Sequence, residues 1–304
     1  MFSRVAAETG QILVNPPPFI RPATLADAIT ALATPGIRIL AGGTDFFPAL
    51  GDRVVKGPVL DLTGIAELGG IAIGRDEIRI GACTTWTQVV NAPLPRECSA
   101  LQEAAREVGS IQIQNRATVA GNLCNASPAA DSVPPLLALD AQVELASHRG
   151  TRVLPLARFI TGNRHTARVP DEILTAIILP RAISGPSAFL KLGARRYLVI
   201  SIAMVAAILE QDRDGRIQEA RIAVGSCSAV AQRLEQLERE LVGHAFAPGA
   251  GAIVEARHLQ NLAPIDDARA TGAYRMDAAR TLVARAIERC IQRGGETAVL
   301  RGVA

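Results

Sequence analysis

Apolar positions in this chain follow no single period. Short strand-like runs and helix-like stretches succeed one another without the regular alternation of a doubly wound sheet. Residues 26–33 predict a short helix, opened by Thr24 and closed near Pro35 and Gly36. Residues 37–40 (Ile-Arg-Ile-Leu) read as a strand running into a glycine turn, and residues 59–62 as another strand. Residues 71–73 and 78–82 flank the polar run Gly74-Arg75-Asp76-Glu77, a hairpin pattern. Residues 94–108 are helical by period, and 141–145 and 174–179 are strand-like, the latter apolar enough to be buried and ended by Pro180. Ser184-Gly185-Pro186 reads as a linker. Beyond it, residues 189–209 form a long apolar region broken by Lys191, Arg195 and Arg196. A polar turn at Asp212-Arg213-Asp214-Gly215 before residues 217–224 suggests a second hairpin, and residues 229–242 and 278–293 predict two further helices. This mixture favours α+β over a doubly wound sheet.

One stretch fits none of these patterns. Residues 115–131 carry small and polar side chains almost throughout and end on a lone carboxylate, Asp131. Such a segment is poor material for a core and good material for backbone lying close to something large and polar. The turn Ala41-Gly42-Gly43-Thr44-Asp45 has the same character. Glycines after a strand permit positive φ and close approach of the backbone, and successive N–H groups can form a concavity for phosphate oxygens. Thr44 adds a hydroxyl. The glycine spacing is not the Rossmann one, and the lysine of a P-loop is missing. Together the two segments point to a bound dinucleotide. Asp131, an acceptor when ionised, suits a ribityl hydroxyl or a flavin ring N–H; the alternative is an N-cap ahead of Pro134-Pro135.

Composition narrows the field. At 304 residues the chain is long enough for two domains, and 49% hydrophobic with 20% charged residues is ordinary for a globular protein. Aromatic residues make up only 3%, so Ala, Val, Leu and Ile must build the core. The net charge of +3 is spread rather than striped, which argues against nucleic acid. Residues 1–14 lack the apolar stretch of a secretory signal, and no run approaches a membrane span. Cys83, Cys98, Cys124, Cys227 and Cys290 lie far apart, which fits reduced thiols in a cytoplasmic protein and no iron–sulfur cluster in this chain. The four histidines show no metal-ligand spacing, and Trp86 reads as packing. Cys124 sits in the second small-residue segment and is expected to be inert.

The order of these motifs resembles the FAD-binding medium subunit of molybdenum hydroxylases, the group that includes xanthine dehydrogenase, carbon monoxide dehydrogenase and 4-hydroxybenzoyl-CoA reductase. The resemblance rests on residues 41–45, 113–122 and 126–131, and runs on through Pro170-Asp171-Glu172-Ile173-Leu174 with Pro180, Lys191-Leu192-Gly193-Ala194-Arg195-Arg196 and Ala273-Tyr274-Arg275. It implies a vanillyl-alcohol-oxidase-type FAD domain over residues 1–183, with subdomains of about 1–65 and 66–183, and a smaller C-terminal α/β domain over 184–304. It also implies that Leu40, Ala41, Gly42, Gly43, Thr44 and Asp45 clasp the FAD diphosphate from one side, and Thr118, Val119, Ala120, Gly121 and Asn122 from the other. By the same resemblance Asp131 lies near the flavin, Leu174 contacts its ring, and Lys191 is close to its pyrimidine edge. Two departures stand out. Ala120 replaces a glycine common in relatives, which requires negative φ there. The cysteine-bearing insertion of the 4-hydroxybenzoyl-CoA reductase subunit is missing.

The function implied is electron transfer through noncovalent FAD. Electrons would come from 2Fe-2S clusters in a small subunit, downstream of a molybdenum cofactor in a large one, and pass to NAD or another acceptor. The implied assembly is a dimer of heterotrimers. Lys191 would then tune the flavin by stabilising negative charge on its reduced form. Two alternatives keep the flavin site: a self-contained oxidase of the vanillyl-alcohol-oxidase group, and a flavin-binding module without catalysis.

Overall fold

The computed structural model describes residues 18–302, with side chains to residue 296. The expectation about a secretory signal in residues 1–14 lies outside the described residues.

Three larger sheets organise the described residues, beside a two-stranded pair of Ile160–Gly162 with His165–Thr166. The first has three parallel strands, with Val59–Asp61 between Phe19–Ile20 and the edge strand Arg38–Leu40. The helix Leu25–Ala31 precedes that edge strand; the Oγ1 of Thr24, its N-cap, accepts from the Asp27 N–H at 3.2 Å. Ala28, Leu60, Leu62, Ile65 and Leu68 form this sheet's small core.

The second sheet has five antiparallel strands in the order Ile71–Ile73, Glu77–Gly81, Ile173–Pro180, Gln142–Ser147 and Gly150–Pro155. The expected hairpin is its first pair, with Ile73 opposite Ile78. Ile173–Pro180 lies at the centre, so its run of apolar residues is buried. The helices Trp86–Asn91, Ser99–Glu107, Val119–Asn125 and Val133–Ala138 contribute to the same core. Trp86 is fully buried there.

Residues 189–209 are two strands rather than one region. Ser187–Leu192 and Ala203–Gln211 pair antiparallel and continue through Ile217–Gly225 to Gln232–Arg233. Residues 193–202 connect the first two and hold Arg195 and Arg196, whereas Lys191 turns inward. The apolar character of Ala203–Gln211 follows from burial on both faces. Met204, Ala206 and Ile208 join the core of the second sheet. Ala203, Val205, Ala207 and Leu209 face a separate core with Ala279, Val283, Ile287 and Cys290 of the helix Gly272–Gly302.

Three local expectations change. The predicted helix over 229–242 is shortened to Glu235–Leu241, because residues 232–233 pair instead with Ala223 and Val224. The helix predicted over 278–293 extends to Gly272–Gly302. The small-residue stretch 115–131 is not a bare loop: Val119–Asn125 is helical, and Val119, Ala120 and Leu123 are buried. Thr118 caps this helix, its Oγ1 accepting from the Gly121 N–H at 3.0 Å, and Ala126 ends it at φ +47°. Small residues serve the core here because they let this short helix pack closely.

Candidate FAD site

The edge strand Arg38–Leu40 delivers the chain into the turn at Ala41, Gly42, Gly43, Thr44 and Asp45. Gly43 lies at φ +76°, a conformation that suits glycine. The N–H groups of Gly42, Gly43, Thr44 and Asp45 donate to no acceptor among the described residues, which leaves them available to a ligand. The facing segment is firmly held. The Val119 N–H donates to the Thr84 carbonyl at 3.0 Å, the Trp86 N–H donates to the Ala117 carbonyl at 3.2 Å, and Thr118 bridges Thr85.

The two segments touch at Gly42. A Cβ there would lie 2.0 Å from the Arg116 carbonyl oxygen and 2.8 Å from the Ala117 Cα. Only a residue without a side chain permits this approach of backbone to backbone. Gly42 therefore sets the spacing of the two segments as well as leaving room for a ligand. Ala120, inside the helix, has negative φ, so its methyl group carries no backbone strain.

Between the segments lies a cleft of about 520 Å³. Ala41, Gly42, Gly43, Thr44 and Asp45 line one side, Thr118, Ala120, Gly121 and Asn122 the other, and Leu174 also borders it. Val119 is buried in the core of the second sheet, and Leu40 is buried close to Gly43 of the turn. Sequence reading missed Arg38, Phe46, Cys83, Asn125 and Arg168, which also line the cleft. Arg38 lies between Ile37 and Ile39, which pack on the small core and also border the cleft. Nothing in the sequence marks Arg168.

Asp131 and Lys191 are not in the lining of this cleft. Lys191 Nζ lies 2.7 Å from Asp131 Oδ2, and both side chains are nearly buried. Ser201 donates to Asp131 Oδ1 at 2.5 Å. Burial pushes the Asp131 carboxyl upward from its ordinary range, and the charge and hydrogen bond of Lys191, with the Ser201 hydrogen bond, oppose that push. The N-cap alternative for Asp131 fails, because the carboxylate is committed to Lys191 and Ser201 and the helix Val133–Ala138 has Ser132 as its N-cap without a side-chain bond. Ser132 instead donates to Asn122 Oδ1 at 2.6 Å, joining the residue beside Asp131 to the cleft wall. The charge of Lys191 is thus met within the protein.

Two thiols border the cleft, and neither is activated. Burial pushes Cys83 up to about 12 and Cys124 up to about 11, with only partial relief for Cys124 from Arg168. Among the described residues no cluster of His, Cys, Asp or Glu could hold a metal ion, and no helix is long and apolar enough to cross a membrane.

Four features fit the site to FAD. The volume lies in the range of cofactor clefts. The N–H groups of the first turn are unspent. Arg38 and Arg168 bring positive charge to the lining. Two buried nitrogens of Arg38 lack an acceptor.

Comparison with known proteins agrees in sequence and in fold. Residues 12–182 match the FAD binding domain in molybdopterin dehydrogenase, and residues 188–290 match the CO dehydrogenase flavoprotein C-terminal domain. The xanthine dehydrogenase FAD-binding subunit of Escherichia coli O157:H7 is 34% identical over 90% of this chain and 96% of its own. Caffeine dehydrogenase subunit beta of Pseudomonas sp. (strain CBB1) is 32% identical over 93% and 98%. Among solved structures, a chain of the Cu,Mo-CO dehydrogenase superposes with a TM-score of 0.85 at 28% identity, covering 91% of this chain and 98% of that one.

Proposed function

From the membership of this chain in the family of FAD-binding medium subunits of molybdenum hydroxylases, we propose that it passes electrons from 2Fe-2S clusters of a small partner subunit to NAD or another acceptor. As a member it is an FAD-binding oxidoreductase subunit. In the proposed assembly the organic substrate is oxidised at a molybdenum cofactor in a large third subunit, and the complex is a dimer of heterotrimers in the cytoplasm. We assign the vanillyl-alcohol-oxidase-type fold to residues 1–183, with subdomains of about 1–65 and 66–183, and a second domain to 184–304. The separate cores around the long C-terminal helix and around the first sheet support this division, and the core between them is shared across residue 184 through Met204, Ala206 and Ile208.

The observation that carries the proposal is the meeting of the two segments at Gly42 around a cleft that the unspent N–H groups of the first turn border. The main-chain N–H groups at Gly42, Gly43, Thr44 and Asp45, with the Thr44 hydroxyl, would hold the diphosphate on one side. Thr118 and Asn122 would face it from the other, and Leu174 would offer the ring an apolar contact. FAD bound there supplies redox chemistry that no side chain of this protein has. The chain would bind and orient it. The Lys191–Asp131 pair fixes the strand Ser187–Leu192 against the segment that carries Asn122.

No described histidine borders the cleft, and both cysteines there are held as thiols, so neither supports a covalently tethered flavin or a self-contained oxidase. The test is co-expression with the two partner subunits. The complex is expected to bleach its flavin on mixing with its organic substrate, whereas the chain alone is expected to stay yellow with aldehydes and N-heterocycles. Rapid bleaching of the isolated chain would reverse the assignment. A chain that binds FAD and that no partner reduces would be a binding module only.

A further inference from the structure

Arg38 brings its charge to the cleft wall, and no carboxylate or carbonyl of the described residues meets its Nε or Nη2. Its Nε and Nη2 are buried and have no hydrogen-bond partner. Its guanidinium carbon sits 4.6 Å from the centre of the Phe46 ring, a stack that fixes the plane of the fork. Both residues line the cleft, on either side of the glycine turn in sequence. Burying N–H groups of a charged fork without an acceptor is unfavourable, and an anion against the guanidinium at the cleft wall would offset that cost. A guanidinium donates two parallel hydrogen bonds to a phosphate with better geometry than any other side chain.

We infer that Arg38 is a diphosphate anchor, its guanidinium donating to a phosphate of the bound FAD while Phe46 holds its plane. The inference rests on the assignment of FAD to this cleft. The main-chain N–H groups of the glycine turn supply dipoles but no full charge, and Arg38 adds the charge from the strand that leads into the turn. A sugar hydroxyl or the adenine ring would satisfy hydrogen bonds but would leave the cation uncompensated, so phosphate is the favoured acceptor. Arg38 is therefore a binding determinant that selects for the phosphorylated portion of the cofactor.

The experiment uses the full chain, stripped of flavin, as parent, Arg38→Met and Arg38→Lys. Affinities for FAD, ADP and riboflavin are measured by flavin fluorescence and by displacement, and thermal melting is followed without ligand. Arg38→Met is expected to weaken FAD and ADP at least tenfold and to leave riboflavin within twofold. Arg38→Lys is expected to retain part of the affinity, in a form that high salt removes. Without ligand, Arg38→Met is expected to melt at the parent temperature or above it, since an unpartnered charge has been removed. Unchanged FAD affinity, equal losses for riboflavin and FAD, or a ligand-free melting point that falls with FAD affinity would each overturn the inference. A parent that binds riboflavin but neither FAD nor ADP would overturn it too, by removing the diphosphate from the cleft. A parent that binds no flavin at all would instead remove the FAD assignment beneath it.

Discussion

Gly42→Ala is the sharpest perturbation of this site, because a single methyl group would enter the contact between the two segments. Its carbon would lie 2.0 Å from the Arg116 carbonyl oxygen and 2.7 Å from the carbonyl carbon. Non-bonded heavy atoms rest at roughly 3.5 Å, so the segments must part by about 1 Å or more. No rotamer change relieves this, as the three nearest neighbours of the new methyl would all be main-chain atoms. The Arg116 side of the contact is itself tied down: the N–H groups of Arg116 and Ala117 donate to the Ile113 carbonyl at 3.0 and 2.7 Å. Overpacking of this kind costs about 1–3 kcal/mol. If the ligand-free chain relieves the strain by opening the cleft and FAD requires it closed, about 2 kcal/mol appears as a Kd raised roughly 30-fold. The assay is recovery of flavin fluorescence on dilution, with melting curves in the presence and absence of FAD. Gly43→Ala is the control. It introduces strain at φ +76°, but its methyl would meet the side chain of Phe47, which is exposed and can move. It is expected to lower the melting point with less effect on FAD. If Gly42→Ala holds FAD within threefold of the parent, the contact at Arg116 does not set the cleft, and the reasoning fails.

Three further outcomes are expected. Lys191→Met leaves Asp131 buried with Ser201 and without its cation, and is expected to cost about 3–5 kcal/mol in denaturant unfolding. Adding Asp131→Asn should recover most of the loss, and an additive double variant would refute the pairing. Because the Lys191 charge is already met by Asp131, the double variant is also expected to leave the flavin midpoint potential close to that of the parent; a clear drop would assign Lys191 to flavin tuning. The Arg152 guanidinium, hydrogen-bonded to Glu172 at 2.6 and 2.8 Å, holds its carboxyl below the usual 4.5. A depressed carboxyl contributes stability above the unfolded value that is lost as pH falls through the folded one. Glu172→Gln should therefore lower the melting point at pH 7 and change it little near pH 3, and an equal loss at both would refute the charge argument. Finally, the thiols of Cys83 and Cys124, pushed up to about 12 and about 11, should resist iodoacetamide at pH 7.5 until the chain is unfolded. Rapid alkylation of the folded protein would show a thiolate that burial should prevent.

Local pattern determined a good part of this protein. The hairpin at residues 71–81 was legible because apolar alternation and a polar turn specify the same local geometry. The two small-residue segments were legible because backbone exposed to a ligand leaves a compositional trace, and their order along the chain carried the family. Other features depend on contacts far apart in sequence. Ala203–Gln211 is apolar at nearly every position because different cores cover its two faces, which no period reveals. Residues 232–233 carry a helical pattern, yet strand pairing with Ala223 and Val224 claims them. Asp131 and Lys191, sixty residues apart, become partners only through the docking of Ser187–Leu192, a pairing that local pattern cannot show. At Gly42 the residue type was legible from local pattern, but only the tertiary structure supplies the reason: the facing carbonyl of Arg116, from a segment that local pattern cannot bring near, occupies the space a side chain would need.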